Sequence, residues 1–241
     1  MTSTPINYNR FWTDHHDDHY PIHLARASQT PHTLYFDLEV RRGPDEFGGD
    51  WERVRKEGGV SVLCIWDEKD GRPYFYDDHN LALGAEKLSS CDLAVSFNGA
   101  WFDIPLLENH LYQNLPICEH LDLFALVKSG LERSGKSWKG HGLNAICERT
   151  LGRGKNGTSA HAPQLAHEGK WAELFSYCLE DCLLTRDLGH FIAREGYVID
   201  KDGERLLLSV PDWFRASPTS KDGHTTPKVG QAASETPHSA P

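Results

Sequence analysis

The stretch Thr33-Leu34-Tyr35-Phe36-Asp37-Leu38-Glu39-Val40 decides how this chain is read. It is rich in strand-forming residues, and strand alternation sends Asp37 and Glu39 to one face while Phe36 and Leu38 take the other. Two carboxylates therefore stand side by side. Like charges so close raise each other's pKa unless a cation neutralises them, and hard divalent ions take oxygen ligands, so Mg2+ or Mn2+ is the implied partner. An Asp-x-Glu pair also arises by chance in an acidic chain of this length, and a solvated strand face is the competing reading. The weight falls on what surrounds it.

Moving outward, a polar, Gly-rich connection leads to a second strand over Val60–Trp66, and Asp70-Gly71 turns it into a hairpin with a third over Arg72–Asp77. Leu81, Leu83, Ala85 and Leu88 mark a helix, Asp92–Phe97 a fourth strand, and Phe102, Leu106, Leu107 and Leu111 a helix across 101–114. Ile117–Leu121 reads as a short fifth strand running into a helix from Asp122. Leu143, Ile146 and Leu151 mark a further helix. After the Gly-rich stretch 152–157, residues 171–194 give the longest periodic helix, with Leu174, Cys178, Cys182 and Leu188 on its apolar side. A hairpin of Tyr197–Ile199 and Arg205–Leu208, closing through Asp202-Gly203, ends the pattern. Strands alternating with helices favour an α/β sandwich, and no internal repeat is visible.

A length of 241 residues with 39% hydrophobic content supports one substantial core plus tails. Residues 1–30, with little apolar periodicity, and 216–241, turning to Ser, Thr, Pro, Gly and Lys, read as disordered flanks of a domain over 31–215. The histidine-rich start (His15, His16, His19, His23) is explained more simply by a tag-like or disordered segment than by metal storage. No apolar run approaches a membrane span and no signal-peptide pattern is present, which leads to the expectation of a soluble, cytoplasmic protein. The six cysteines (Cys64, Cys91, Cys118, Cys147, Cys178, Cys182) form no CxxC pair and read as reduced, buried thiols. Cys178 and Cys182 share a helix face, but no second pair matches them, and zinc is discounted.

Net charge is −10, from 25 basic and 35 acidic residues. Residues 1–30 carry two arginines against three aspartates and the tail balances Lys221 and Lys228 against Asp222 and Glu235, so about −9 falls on the domain. That argues against tight binding along a duplex. It still permits a grip on a strand end through bound cations.

Two further elements join Asp37 and Glu39. In Ser96-Phe97-Asn98-Gly99-Ala100-Trp101-Phe102-Asp103 a strand ends at Asn98-Gly99, a helix begins near Trp101, and Asp103 falls in its first turn. Helix capping is the plain alternative for Asp103. On the long helix Tyr177 and Asp181, at i,i+4, share one face. A core tyrosine whose hydroxyl reaches solvent is the plain alternative there.

Together these three elements resemble the DEDD exonuclease superfamily, the proofreading type of RNase H-like (DnaQ-like) domain. Motif one stands as Phe36-Asp37-Leu38-Glu39, motif two as Asn98 to Phe102-Asp103, and motif three as Tyr177-x-x-x-Asp181. Tyrosine four residues before the last aspartate marks the DEDDy branch, whereas the other branch carries histidine where Ser176 stands. The likeness extends towards bacterial exonucleases related to the proofreading domain of family B polymerases and to YprB-like proteins, through His120-Leu121-Asp122-Leu123-Phe124, Gly48-Gly49 with Trp51, Leu151 to Lys155, and Val210-Pro211-Asp212-Trp213. It covers about Thr33 to Trp213. Val40 departs from the threonine that many relatives place after motif one, and 156–168, with His161 and His167, does not align.

The resemblance implies an RNase H-like mixed five-stranded sheet flanked by helices, with a short C-terminal hairpin. It implies a 3'→5' exonuclease with two Mg2+ or Mn2+ ions: Asp37 bridging both, Glu39 and Asp181 on the nucleophile side, and Asp103 supporting the second largely through water. Tyr177 would orient the attacking water. The partner would be the 3' end of single-stranded DNA or RNA, DNA favoured, with no membrane and an unassigned protein partner. Asn98, Trp101, Phe102 and Lys155 are the expected substrate contacts. Lys128, Arg133, Lys136 and Lys139 with Trp138, and Arg149, Arg153 and Lys155 among glycines, are candidate phosphate trackers, a solvated loop being the alternative for the first group. Gly152-Arg153-Gly154-Lys155 is no P-loop, because its glycine spacing is wrong and Asn156 follows the lysine. An exoribonuclease and a non-catalytic RNase H-like interaction module are the rival readings; retention of all four acids and the tyrosine argues against the second.

Overall fold

The structure, a computed structural model, describes residues 31–117, 119–155 and 162–215. The expectations for 1–30, 216–241, Cys118 and His161 lie outside these residues. In chain order the elements are β1 (Thr33–Val40), a 3-10 turn (Pro44–Phe47), α1 (Trp51–Glu57), β2 (Val60–Asp67), β3 (Arg72–Tyr76), α2 (Leu81–Ser89), β4 (Leu93–Ser96), α3 (Asp103–Leu111), β5 (His120–Asp122) and α4 (Leu123–Arg133). There follow α5 (Leu143–Leu151), α6 (Ala162–His167), α7 (Trp171–Glu195), the hairpin β6 (Tyr197–Ile199) and β7 (Arg205–Leu207), and a 3-10 turn (Asp212–Phe214).

The five-stranded sheet runs β3-β2-β1-β4-β5. β1 pairs antiparallel with β2, setting Asp37 opposite Cys64 and Glu39 opposite Val62, and parallel with β4, setting Tyr35 opposite Val95. β3 continues the antiparallel side and β5 the parallel one. This is an α/β fold with a mixed sheet flanked by helices and a C-terminal antiparallel hairpin, an RNase H-like architecture.

Strand period dictates the two layers. Leu34, Phe36 and Leu38 of β1 join Leu63 and Ile65 of β2 in a core under α2 and α3, with Val54 of α1 at its margin. Tyr35 and, from the neighbouring strands, Val62, Cys64, Trp66 and Val95 face a second core formed with α4, α5 and α7. Asp37 and Glu39 share the Tyr35 side by alternation. They therefore stand on a helix-covered face, not on an open one.

Helix α7 runs against β1 at close range. The thiol of Cys182 donates to the Tyr35 carbonyl at 3.2 Å and that of Cys178 to the Asp37 carbonyl at 3.4 Å. One helical turn thus spans two strand residues, roughly 5.4 Å against 6.6 Å of rise. The i,i+4 cysteines are a stitch to the strand. Gly189 extends the fit: a Cβ there would meet Tyr35 Cε1 at 2.8 Å. The five described cysteines are buried thiols, as expected.

Several boundaries correct the sequence reading. The connection between the first two strands holds a 3-10 turn and α1, because Asp50 caps the helix by accepting from Glu52 N and Arg53 N. Only Val54 of that helix is buried, so no apolar period betrays it. The fifth strand is His120–Asp122 rather than Ile117–Leu121, since β4 offers partners only at Ala94, Val95 and Ser96 and Ile117 packs instead under the other face. Leu83 lies on the exposed side of α2, where Leu81, Gly84, Ala85 and Leu88 face the core. The 101–114 helix begins at Asp103, because Trp101 N and Phe102 N both return to the Asn98 carbonyl in a preceding turn. Helix α6, within the segment that resists alignment, packs against α7.

Candidate active site

Three elements converge on the second half of β1. β4 ends at Ser96, and the chain turns through Asn98 in the left-handed region (φ 71°), which asparagine tolerates better than most residues. Gly99 follows where a Cβ would lie 2.3 Å from Ser96 Oγ, so the turn closes only on glycine. Asp122 clamps it from β5, accepting from Asn98 N at 2.8 Å and Ala100 N at 3.1 Å while also capping α4 through Phe124 N and Ala125 N. The result delivers Asp103 to β1, where its Oδ1 accepts from Leu38 N at 3.3 Å.

From the opposite side α7 presents Tyr177 and Asp181. Lys155, just beyond α5, reaches between them: its Nζ donates to the Tyr177 hydroxyl at 2.7 Å and to Asp181 Oδ2. Asp181 Oδ1 is buried with no hydrogen-bond partner among the described residues. Donor atoms of Asp37, Glu39 and Cys178 all lie within 4.8 Å of one another. The cysteine was not foreseen as part of this group; its i,i+4 relation to Cys182 was visible, but the facing residue was not.

Electrostatics identify the cluster as one unit. Asp37 and Glu39 are partly exposed, yet protein surrounds them on most sides. Burial first, then Asp181, Asp103 and Glu39, hold the Asp37 carboxyl well above the ordinary carboxylate range. Burial and Asp181 do the same to Glu39, against the pull of Lys155. Burial raises Asp103 to about 7, opposed by backbone donors and helped by Asp122. Asp181 is raised to about 6 by burial, with Lys155 opposing. Four carboxylates from three elements thus compete for too little positive charge, and Lys155, itself held above its ordinary pKa largely by Asp181 despite burial, is the one cation among these side chains. Such a group offers hard oxygen donors, an unsatisfied oxygen and a charge deficit, which fits divalent cations.

The expected site residues fare differently. Asp37, Glu39, Asp103, Tyr177 and Asp181 come together. Lys155 joins them, its ammonium paired with Asp181 and Tyr177 and its side chain largely buried. Trp101 and Phe102 stack at 5.9 Å on the turn leading to Asp103, and Asn98 contributes its backbone to the Asp122 clamp. The basic groups are largely committed elsewhere: Arg153 to Asp187, Arg149 to the carbonyls of Ile199 and Gly140, Arg133 to Ser129 and the Leu207 carbonyl, and Lys136 to Asp200, Asp202 and Glu204. Lys136 in particular is a hairpin anchor, because the acidic turn between β6 and β7 encloses it. Sequence reading cited Trp51 only within the resemblance and gave neither it nor Arg55 a place in the site; Trp51 is half-exposed and 5.7 Å edge-on from Phe102.

An RNase H-like domain with a candidate divalent-metal centre is the class that this fold and cluster define. No protein-family model and no curated protein matches the chain. Solved structures do, among them the family B DNA polymerase from the hyperthermophilic archaeon Pyrobaculum calidifontis, at TM-score 0.52 and 19% identity, over 67% of this chain and 24% of that one. The chain thus spans about a quarter of that polymerase's length, and at this identity the likeness is one of fold. No helix among the described residues is long and apolar enough to cross a membrane.

Proposed function

We propose that this chain is a metal-dependent 3'→5' exonuclease of the DEDDy type, hydrolysing the terminal phosphodiester of single-stranded nucleic acid, DNA favoured, in the cytoplasm. The observation that carries the reading is the convergence of Asp37, Glu39, Asp103 and Asp181 from three elements, with Asp181 Oδ1 left without a partner among the described residues. The three sequence motifs and the fold likeness to a family B DNA polymerase support the same assignment.

Asp37, Glu39 and Asp181 would hold one Mg2+ or Mn2+, and Asp37 with Asp103 the other. Paired ions supply an activated nucleophile at neutral pH and neutralise charge on the leaving 3' oxygen. The chain's own residues account for the rest. Tyr177 is held as a phenol, burial raising its pKa to about 12 with Asp181 assisting. Because Lys155 Nζ already donates to the Tyr177 oxygen, the phenolic proton is left to donate outward, and it orients water without ionising. Lys155 lowers the repulsion around Asp181 and fixes its geometry. Asp122 holds the 98–100 turn and so the approach of Asp103.

The test is direct. Purified protein is incubated with 3'- and 5'-labelled single strands, DNA and RNA in parallel, with Mg2+, Mn2+ or chelator. The expected result is stepwise loss from the 3' end that stops in chelator. Hydrolysis continuing unchanged in excess chelator, or no hydrolysis of any strand, overturns the reading.

A further inference from the structure

Helix α1 has an unusual make-up for a surface element: its first residue is a tryptophan that is 49% exposed, although Asp50 alone supplies the cap. Trp51 meets Phe102 with centroids 5.7 Å apart and planes at 73°, a contact that takes at most one face of the indole. Trp101, 40% exposed, stacks on the same Phe102 with planes only 22° apart. Arg55, one turn after Trp51, lies 5.3 Å over the Trp101 ring and donates to the Trp101 carbonyl at 3.3 Å. Asn109 of α3 donates to the Arg55 carbonyl at 3.3 Å, tying the two helices together. Trp51 and Arg55 thus contact Phe102 and Trp101, the two residues that precede Asp103 in the chain.

Trp51 and Trp101, braced by Phe102 and Arg55, keep hydrophobic surface in water, while Phe102 itself packs against the core. Isolated exposed tryptophans need no explanation, but two of them braced by one phenylalanine and an arginine, on the residues that lead into Asp103, make a binding feature. Its chemistry selects a nucleobase: a flat ring stacks on indole, and the adjoining phosphate is met by a cation. Arg55 can serve, because its ion-pair partner Glu52 is 53% exposed and held only loosely, while Arg55 itself keeps 22% of its side chain in solvent. Since the rings are pre-positioned, little side-chain freedom is lost on binding.

We infer that Trp51 and Arg55 of α1, with Trp101 and Phe102, form a ledge that seats a base of the substrate strand next to the scissile bond; this rests on the exonuclease reading above. The ledge supplies grip on the base, while the acids supply chemistry, so it governs KM more than kcat. It also answers how a chain of net charge −10 retains a polyanion: the hold is by stacking.

The experiment measures steady-state release from 5'-labelled (dT)12 and (rU)12 by the full chain with Mn2+. Trp51→Ala is expected to raise KM about 10-fold with kcat little changed, and Trp51→Phe to recover most of the loss. Trp213→Ala, at an exposed tryptophan in the Asp212–Phe214 turn, should change nothing. Strands lacking one base at each of the last three positions provide the decisive arm. At one position the missing base should cost the parent protein about the same 10-fold, and should cost Trp51→Ala nothing further. A merely structural role for Trp51 would leave the two losses additive, and that result overturns the ledge. Arg55→Ala, expected to raise KM about fivefold, carries the test should Trp51→Ala fail to fold. A KM rise on either strand type supports the ledge, and the arm that shows it names the sugar. Unchanged KM in both variants, with the parent cleaving normally, overturns the ledge but leaves the exonuclease reading standing, and makes this a protein-facing patch. A parent protein that cleaves neither strand removes both.

Discussion

Replacing Asp103 by asparagine separates the cost of the acid cluster from its use. The substitution keeps the oxygen that accepts from Leu38 N but removes a charge from a position only 5% exposed. Raising that carboxyl from 3.8 to about 7 corresponds to a ceiling of about 4 kcal/mol held against the metal-free fold. The sign follows from linkage: a folded-state pKa above the unfolded one favours the fold while the group is protonated, and that advantage is lost as pH rises. The cost is therefore absent below about pH 4, grows through the window from 3.8 to about 7, and is constant above it. For a domain of this size about 4 kcal/mol corresponds to roughly 8–16 °C, and solvent reaching the partly exposed Asp37 and Glu39 screens part of it, leaving an expected rise of about 4–8 °C. Calorimetry in chelator should show Asp103→Asn melting higher than the parent at pH 8 and level with it near pH 4. Adding Mn2+ should stabilise the parent more than the variant and narrow the gap, while hydrolysis by the variant falls by orders of magnitude. A variant that melts below the parent in chelator at pH 8, or one that keeps its advantage at pH 4, refutes the reasoning.

Three other substitutions probe the remaining parts. Tyr177→Phe should lower kcat about 10- to 100-fold with KM nearly unchanged, since the hydroxyl orients water and does not hold the strand; equal rates would remove Tyr177 from the site. Lys155→Ala strips a cation whose side chain is only 9% exposed from Asp181, and should cost the metal-free protein about 3 kcal/mol in a denaturant titration, with saturating Mn2+ restoring most of it. Asp122→Ala removes both the α4 cap and the clamp on the 98–100 turn; a stability loss of about 2 kcal/mol with a parallel fall in kcat is expected, and unchanged kinetics would show that Asp103 is positioned without it.

The legible parts of the sequence are those whose period matches their burial. β1 alternates Leu34, Phe36 and Leu38 with Asp37 and Glu39 because one of its faces packs under α2 and α3, and the strand was readable from Thr33 to Val40. Helix α7 was readable because Leu174, Cys178, Cys182 and Leu188 repeat at helical spacing against the sheet. Helix α1 was not, because one buried residue makes no period and its stability rests on the Asp50 cap and contacts with α3. The same cause left Trp51 and Arg55 without a site role in the sequence reading, because the rings they touch, Phe102 and Trp101, lie some 50 residues on.

Charge was the least legible property, for a physical reason. A lysine in a Gly-rich stretch and a lysine before a tryptophan look alike in sequence, yet Lys155 is drawn into the acid cluster and Lys136 into the β6–β7 turn. In each case the partner acids come from distant segments, Asp181 for one and Asp200 and Glu204 for the other, and an ion pair leaves no local pattern. The opposite holds for the four carboxylates: each sits within a regular element, Asp37 and Glu39 sharing β1, so the motif that carries it is local even though the site is not. That division explains why Asp37, Glu39, Asp103 and Asp181 could be singled out from sequence while the residues that balance and brace them could not. It also implies where function is set. On the proposed reading the acids would define the reaction, whereas Lys155, Asp122 and Cys178 are this chain's own contacts to Asp181, to the turn before Asp103 and to Asp37, and Trp51 would hold the strand.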